Sequence, residues 1–150
     1  MNAQAKILVV EDEVAYAQTL KLKLTASDFN VLHAKNGKLG LETALSEHPA
    51  LILTDIMMPE MNGMDMVREL RKDEWGKSAL IVVLSNTEIS KLEAEEAQCL
   101  YIIKSNKSLE EIVQLVSEII EISTYLVATN AESLTPIEVF TKVKGRLGLE

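Results

Sequence analysis

Several features that mark secreted, membrane-spanning or nucleic-acid-binding proteins are missing from this sequence. Its one cysteine, Cys99, excludes an internal disulfide and suits a reducing cytosol. The first residues contain no long apolar segment, and no apolar stretch approaches the roughly 20 residues of a membrane span. We therefore expect a cytoplasmic protein with neither a secretion signal nor a membrane contact. Because basic residues are scattered and the net charge is −8, we expect no nucleic-acid surface.

What the sequence does contain is a set of short apolar runs that end abruptly in polar residues. Each run is too short for a typical helix, is rich in β-branched residues and is separated from the next by a segment of helical character. The runs cover residues 6–10, 51–54, 79–84 and 99–103. Strands that alternate with helices in this way predict βαβ units, an α/β fold and a parallel sheet.

The polar residues that follow these runs are predicted to meet at one edge of the sheet. Parallel strands joined by right-handed crossovers point the same way, so their carboxyl ends share an edge. The residues that this rule brings together are Glu11, Asp12, Asp55, Ser85 and Lys104. Although they lie far apart in the chain, they form one candidate site.

The residue types in this site indicate phosphoryl chemistry assisted by a hard metal ion. Three carboxylates in contact would repel one another by about 4 kcal/mol per pair at 4 Å and an effective dielectric near 20. The cluster therefore favours a cation, and oxygen ligands without His or Cys favour Mg²⁺ or Mn²⁺ over zinc. An aspartate beside such an ion can attack phosphorus and form an acyl phosphate. The ammonium of Lys104 and the hydroxyl of Ser85 would then contact the phosphoryl oxygens.

With these motifs in place, residues 5–122 resemble a response-regulator receiver domain of bacterial two-component signalling. The resemblance implies Mg²⁺ binding, catalysis and switching for the residues that match the family's motifs. The metal ligands would be Glu11, Asp12, Asp55 and the backbone carbonyl of Met57, the catalytic residues Asp55, Ser85 and Lys104, and the switch residues Ser85 and Tyr101. The implied fold is a doubly wound, CheY-like sheet of five parallel strands in the order 2-1-3-4-5.

The function implied by the resemblance is a phosphorelay switch rather than an enzyme that acts on a separate substrate. Asp55 would accept a phosphoryl group from a histidine kinase or phosphotransfer protein, and autodephosphorylation would be the only further reaction. The output would be an interaction with another protein. The alternative is a pseudo-receiver, an interaction or dimerisation module that works without phosphorylation. A phosphatase of the haloacid-dehalogenase type is disfavoured because it needs a second aspartate where this chain has Met57.

Two loop residues depart from the family pattern. Ser105 follows Lys104 where receivers usually have a proline with a cis peptide bond. Because a cis bond before a residue other than proline costs about 3 kcal/mol, we predict a trans Lys104–Ser105 bond and a reshaped loop. Asn86 follows Ser85 where the family prefers a small residue, and its bulk would slow phosphorylation of Asp55 or water attack on the acyl phosphate.

Two further departures concern Met57 and the length of helix 4. Met57 lies two positions after Asp55, at a position that tunes dephosphorylation in the family. The apolar Met57 cannot orient a water for attack on the acyl phosphate, so we predict that the acyl phosphate decays slowly. Only sixteen positions separate Ser85 from Tyr101, so helix 4 must be short or displaced and the signalling surface atypical. Helix signals place the first four helices at about residues 14–25, 38–46, 64–75 and 88–98.

The last part of the chain is predicted to be a helical addition to the receiver. We divide the chain into a receiver domain at residues 1–123 and a C-terminal helical extension at residues 124–150, too short for the usual transcriptional output module. Helix 5 begins at a capping box formed by Ser108 and Glu111. Its apolar positions cover more than one stripe, so a second face needs a partner.

The extension offers such a partner. Residues 130–133 predict a turn, and the sequence from Thr135 through Pro136 to Glu138 predicts the start of another helix. That helix either folds back on its own receiver or takes part in a homodimer through helix 5 and the extension. The sequence favours neither arrangement over the other.

Overall fold

The computed structural model, which describes residues 4–129 and 134–148, has a five-stranded parallel sheet. The strand order is β2-β1-β3-β4-β5, as predicted. The strands are β1 Lys6–Val10, β2 Asn30–Ala34, β3 Leu51–Thr54, β4 Ile81–Ser85 and β5 Leu100–Ile103. β5 is therefore an outer strand, and β1 and β3 are neighbours near the centre of the sheet.

Helices connect the strands and cover both faces of the sheet. They are α1 Val14–Ala26, α2 Gly37–Glu47, α3 Gly63–Leu70, α4 Lys91–Ala97, α5 Leu109–Thr129 and α6 Pro136–Leu147. The helix predicted at residues 64–75 ends early because the Asp73 carboxylate accepts the Gly76 N–H at 3.0 Å and closes a turn. The turn predicted at residues 130–133 lies outside the described residues.

The two faces of the sheet belong to two hydrophobic clusters. Alternate side chains of a strand point to opposite faces. Accordingly, Ile7 and Val9 of β1 pack in a cluster with Leu20 of α1, whereas Leu8 and Val10 pack in a cluster with Met66 of α3. All six side chains are at least 98% buried, so both faces of β1 are fully covered.

Helix α4 is short, as the spacing predicts. It has seven residues, and its N-cap is Ser90, whose hydroxyl accepts the Glu93 N–H at 3.0 Å. Its other end is held by the guanidinium of Arg71, which follows α3. This group donates to four backbone carbonyls at 2.7 to 2.9 Å, those of Gly76, Ala79, Ala97 and Gln98. One cation thus joins the loop before β4 to the end of α4.

The predicted capping boxes are present at both C-terminal helices. At α5, the Ser108 hydroxyl accepts the Glu111 N–H and the Glu111 carboxylate accepts the Ser108 N–H, each at 3.1 Å. Thr135 and Glu138 form the same reciprocal pair at α6. α5 continues without a break to Thr129, so the division at residue 123 falls inside a helix.

Helix α6 folds back on its own chain. Its buried residues Val139, Phe140 and Val143 share one hydrophobic cluster with the inner face of α5 and with Leu100 and Ile102 of β5. A cavity of about 340 Å³ separates α6 from α4. Of the two arrangements left open by the sequence, the fold-back is the one present in this structure.

Helix α5 corrects one expectation from the sequence. Its 21 residues are long and apolar enough to cross a membrane by length and composition alone, although no apolar stretch was expected to reach that length. The core helix of a soluble protein passes the same test. Here the inner face of α5 is buried against the sheet, through residues such as Ile112, Val116 and Ile119.

Candidate functional site

Three carboxylates meet at the carboxyl edge of the sheet, as the strand arrangement predicts. Glu11 and Asp12 follow β1, Asp55 follows β3, and the parallel register pairs Val10 with Thr54. One oxygen from each carboxylate lies within 4.8 Å of the others. Glu11 is buried, Asp55 is half-buried and Asp12 is exposed, so the cluster opens to solvent on one side. An oxygen-only donor set of this kind suits Mg²⁺.

Lys104 joins two of these carboxylates. Its Nζ contacts Glu11 Oε1 and lies 3.3 Å from Asp55 Oδ2. Burial raises the pKa of Glu11, since desolvation outweighs the attraction of Lys104. Burial acts to lower the pKa of Lys104, but the hydrogen bond to Glu11 and the charges of Asp55 and Glu11 outweigh it and raise that pKa. The ammonium is therefore charged at neutral pH.

The Asp55 carboxylate has a fixed orientation. Its Oδ1 accepts the Ile56 N–H at 2.6 Å, while Oδ2 faces Lys104. The Asp55 backbone N–H donates to the Val10 carbonyl at 3.1 Å, which anchors the residue to β1. A Cβ on Gly63 would lie 1.9 Å from the Asp55 carbonyl oxygen, so only glycine allows α3 to start this close to the site.

Ser85 and Tyr101 are linked through the loop that follows β4. Ser85 is 1% exposed at the end of β4, and its Oγ accepts the Thr87 N–H at 3.2 Å. The Tyr101 hydroxyl donates to the Thr87 carbonyl at 2.7 Å. Thr87 therefore connects the two residues that the sequence predicts to be switch residues.

The two unusual loop residues are in contact with each other. The side-chain carbonyl of Asn86 accepts the backbone N–H of Ser105 at 2.8 Å. The described residues contain no cis peptide bond, which confirms the predicted trans Lys104–Ser105 bond. The loop after β5 takes the form of a short 3₁₀ turn over Lys104–Asn106.

Met57 lies beside the site with 66% of its side chain exposed. A thioether has no donor and is only a weak acceptor, so it cannot hold a water firmly near Asp55. The role of the Met57 backbone carbonyl as a metal ligand stays a prediction.

Two further side chains at the site were not expected from the sequence. The ring of Tyr16 lies 4.1 Å below Lys104 Nζ, and burial raises the pKa of its hydroxyl. His33 is exposed, and its Nε2 lies 2.8 Å from the Glu11 carbonyl oxygen. Both contacts join residues from different elements, so no local pattern in the sequence indicates them.

Comparisons with known proteins agree on the nature of this domain. Residues 7–117 match the family model of the response regulator receiver domain. The response regulator ArlR of Staphylococcus aureus is 38% identical over 82 residues, which are 55% of this chain and 37% of ArlR. The probable transcriptional regulator ycf27 of Pyropia yezoensis is 39% identical over 72 residues, 48% of this chain and 30% of that protein. The chain thus spans about a third of the length of these curated relatives.

Solved structures show the same likeness. The response regulator TrrA of Thermotoga maritima, in complex with Mg²⁺ and BeF, has a TM-score of 0.66 at 29% identity, over 77% of this chain and 98% of TrrA. The chemotaxis protein CheY4 of Vibrio cholerae has a TM-score of 0.70 at 23% identity, over 77% of this chain and 98% of CheY4. The second likeness supports the fold alone.

Proposed function

The chain belongs to the response-regulator receiver family of two-component systems, and on that basis we propose that it is a phospho-accepting switch. Asp55 accepts a phosphoryl group from a histidine kinase or phosphotransfer protein, in a reaction that depends on Mg²⁺. The observation that carries the proposal is the meeting of three carboxylates within 4.8 Å, with the Lys104 ammonium beside Asp55.

The donor set fits a magnesium ion. The carboxylates of Glu11, Asp12 and Asp55, together with the backbone carbonyl of Met57, are the proposed ligands. Among the described residues that form this cluster, neither His nor Cys provides a ligand that would favour zinc. When bound, Mg²⁺ would offset the mutual repulsion of the carboxylates and the charge of an incoming phosphoryl group.

The chemistry at Asp55 is a transfer between two nucleophiles. An Asp55 carboxylate oxygen forms a bond to phosphorus as the donor's phosphorus–nitrogen bond breaks, and the electron pair leaves with the donor imidazole, which takes up a proton. Lys104 is placed to donate to a phosphoryl oxygen, because its Nζ already lies 3.3 Å from Asp55 Oδ2. The Ile56 N–H holds Oδ1, so the carboxylate is oriented before the donor arrives.

The switch would pass through Thr87. If the Ser85 hydroxyl turns toward the phosphoryl group, it exchanges the Thr87 N–H for a charged partner, and the loop that carries Thr87 is free to move. Tyr101 follows because its hydroxyl is bonded to the Thr87 carbonyl. The charge added at Asp55 would thereby change the position of Tyr101 on β5, the outer strand of the sheet.

The output is proposed to be an interaction with another protein in the cytoplasm, without contact to nucleic acid or membrane by this chain. We propose phosphoryl acceptance and autodephosphorylation as its reactions, and thus a switch rather than an enzyme with a separate substrate. We propose that residues 1–123 act as the receiver and residues 124–150 as the extension.

A homodimer through α5 and the extension would use the exposed part of α5, where Tyr125 and Val127 are 65% and 83% exposed.

The test is intact-mass spectrometry after incubation with acetyl phosphate, with and without Mg²⁺. We expect one phosphoryl adduct on the wild type in the presence of Mg²⁺ and none on Asp55→Ala. Asp65→Ala is the matched control, because Asp65 is an exposed carboxylate on α3 that pairs with Arg68. An adduct that persists on Asp55→Ala, or its absence from folded wild type, would overturn the proposal and favour a phosphorylation-independent module.

A further inference from the structure

The hydrogen bond between Asn86 and Ser105 ties together the two loops that carry Ser85 and Lys104. Asn86 lies next to Ser85 after β4, and Ser105 lies next to Lys104 after β5. The bond is 2.8 Å long, and its donor is the backbone N–H of Ser105. It therefore restrains the backbone of the loop after β5, and not merely a side chain of that loop.

The two residues depend on each other chemically. A proline at position 105 would have no N–H, and a small residue at position 86 would have no acceptor that reaches across. Each of these two residues therefore supplies the half of the bond that the other needs.

From this pair we infer that Asn86 is a positioning residue for phosphoryl acceptance at Asp55. The inference rests on the proposed function. Asn86 does not touch Asp55 in the described contacts; it acts through Ser105 on the backbone that carries Lys104. The clasp, meaning the Asn86–Ser105 hydrogen bond, holds the Lys104 ammonium at the distance from Asp55 that the transfer uses.

The clasp and a simple steric effect predict opposite changes in the phosphorylation rate of Asn86→Ala. If the bulk of Asn86 obstructs Asp55, as the sequence suggests, Asn86→Ala should speed phosphorylation. If the clasp positions Lys104, the same variant should slow it. Asn86 is exposed, so truncation leaves no cavity in the core.

The experiment measures the rate of phosphorylation of the full chain by acetyl phosphate over a series of Mg²⁺ concentrations. For Asn86→Ala we expect the maximal rate to fall about fivefold, the equivalent of one ordinary hydrogen bond. The half-saturating Mg²⁺ concentration should stay within about twofold, because Asn86 contacts none of the three clustered carboxylates. Amide hydrogen exchange should show a protected Ser105 N–H in wild type and a faster one in the variant.

Variants at position 105 separate the bond from general loop damage. Ser105→Ala keeps the backbone N–H and should react like the wild type. Ser105→Pro removes the donor and should lower the rate, and the double variant with Asn86→Ala should be no slower than the slower single variant.

Three results would overturn the inference. If Asn86→Ala is phosphorylated faster than wild type, Asn86 has a steric role. If the two proteins are phosphorylated at equal rates although the Ser105 N–H of the variant has lost its protection from hydrogen exchange, the clasp is merely structural. In both cases the wild type still takes up phosphate and the proposed function stands. A folded wild type that takes up no phosphoryl group would overturn the proposed function and this inference together.

Discussion

Replacing Arg71 by methionine should destabilise the fold strongly, although Arg71 lies outside the functional site. The guanidinium donates to four backbone carbonyls that belong to two separate segments, residues 76–79 and 97–98. Burial lowers the pKa of Arg71 to about 10, which leaves it charged at neutral pH. Methionine fills much of the same space but donates no hydrogen bond, so four carbonyls lose a charged partner at once.

The expected loss follows from these contacts. Hydrogen bonds to a charged group contribute about 1.5–3 kcal/mol each, but part of that sum offsets the cost of burying the guanidinium. Removing one partner of a buried charged interaction usually costs about 3–5 kcal/mol, and we expect Arg71→Met to fall in this range. A domain of this kind has a total stability of about 5–15 kcal/mol, so the variant should remain folded but marginal.

Urea unfolding followed by circular dichroism measures this difference, and α3 itself provides the control. Arg68 pairs with the exposed Asp65 on the same helix, and its side chain is 55% exposed. Arg68→Met should therefore change the free energy of unfolding by about 0–1 kcal/mol. If Arg71→Met lies within about 1 kcal/mol of Arg68→Met, the four carbonyl bonds do not stabilise the short α4 and our reasoning is wrong.

Three further predictions concern the site, the extension and the cysteine. Met57→Asn adds a side chain that can orient water, so the acyl phosphate on Asp55 should decay about fivefold to tenfold faster in a mass-spectrometric time course; an unchanged lifetime would contradict this. Phe140 on α6 is 1% exposed, so Phe140→Ala should lower the free energy of unfolding in urea by about 3–5 kcal/mol. Val127 is 83% exposed, so Val127→Ala should change it by no more than about 0.5 kcal/mol. Equal effects of the two variants would mean that α6 is not docked. Burial raises the pKa of the Cys99 thiol to about 11, above its ordinary 9.0. The thiol's contribution to the free energy of unfolding is therefore fully present below pH 9. As the pH rises from 9 through 11, the free energy of unfolding should fall by about 2–3 kcal/mol. Iodoacetamide at pH 8 should label Cys99 only after unfolding, and rapid labelling of the folded protein would contradict the burial.

The sheet and its carboxyl edge could be predicted because their signals are local and repeated. Each strand is a short apolar run, and the rule of right-handed crossovers then fixes which ends meet. That rule brought Glu11 and Asp12 beside Asp55 and placed Lys104 at the same edge, and in the structure Lys104 contacts Glu11 and Asp55. The strand order itself came from the family resemblance, since the runs alone do not determine it.

Helix limits were less predictable, because caps and turns that span only three residues decide them. The helix predicted at residues 64–75 ends at Leu70 because of the turn closed by Asp73, and α4 starts three residues later than expected because Ser90 supplies its cap. The Tyr16 ring below Lys104 could not be found from the sequence for a different reason. It depends on how α1 lies against a lysine that is distant in the chain.

The loop residues show how two apparent departures become one feature in three dimensions. In the sequence, Asn86 and Ser105 are nineteen positions apart, and each suggests a separate effect on the site. In the fold, adjacent strands β4 and β5 end side by side, because Ser85 is in register with Ile103. The residues just beyond these ends must therefore be neighbours. A change at either position can only be interpreted together with the residue across the edge, which is why the clasp must be tested by variants at both positions.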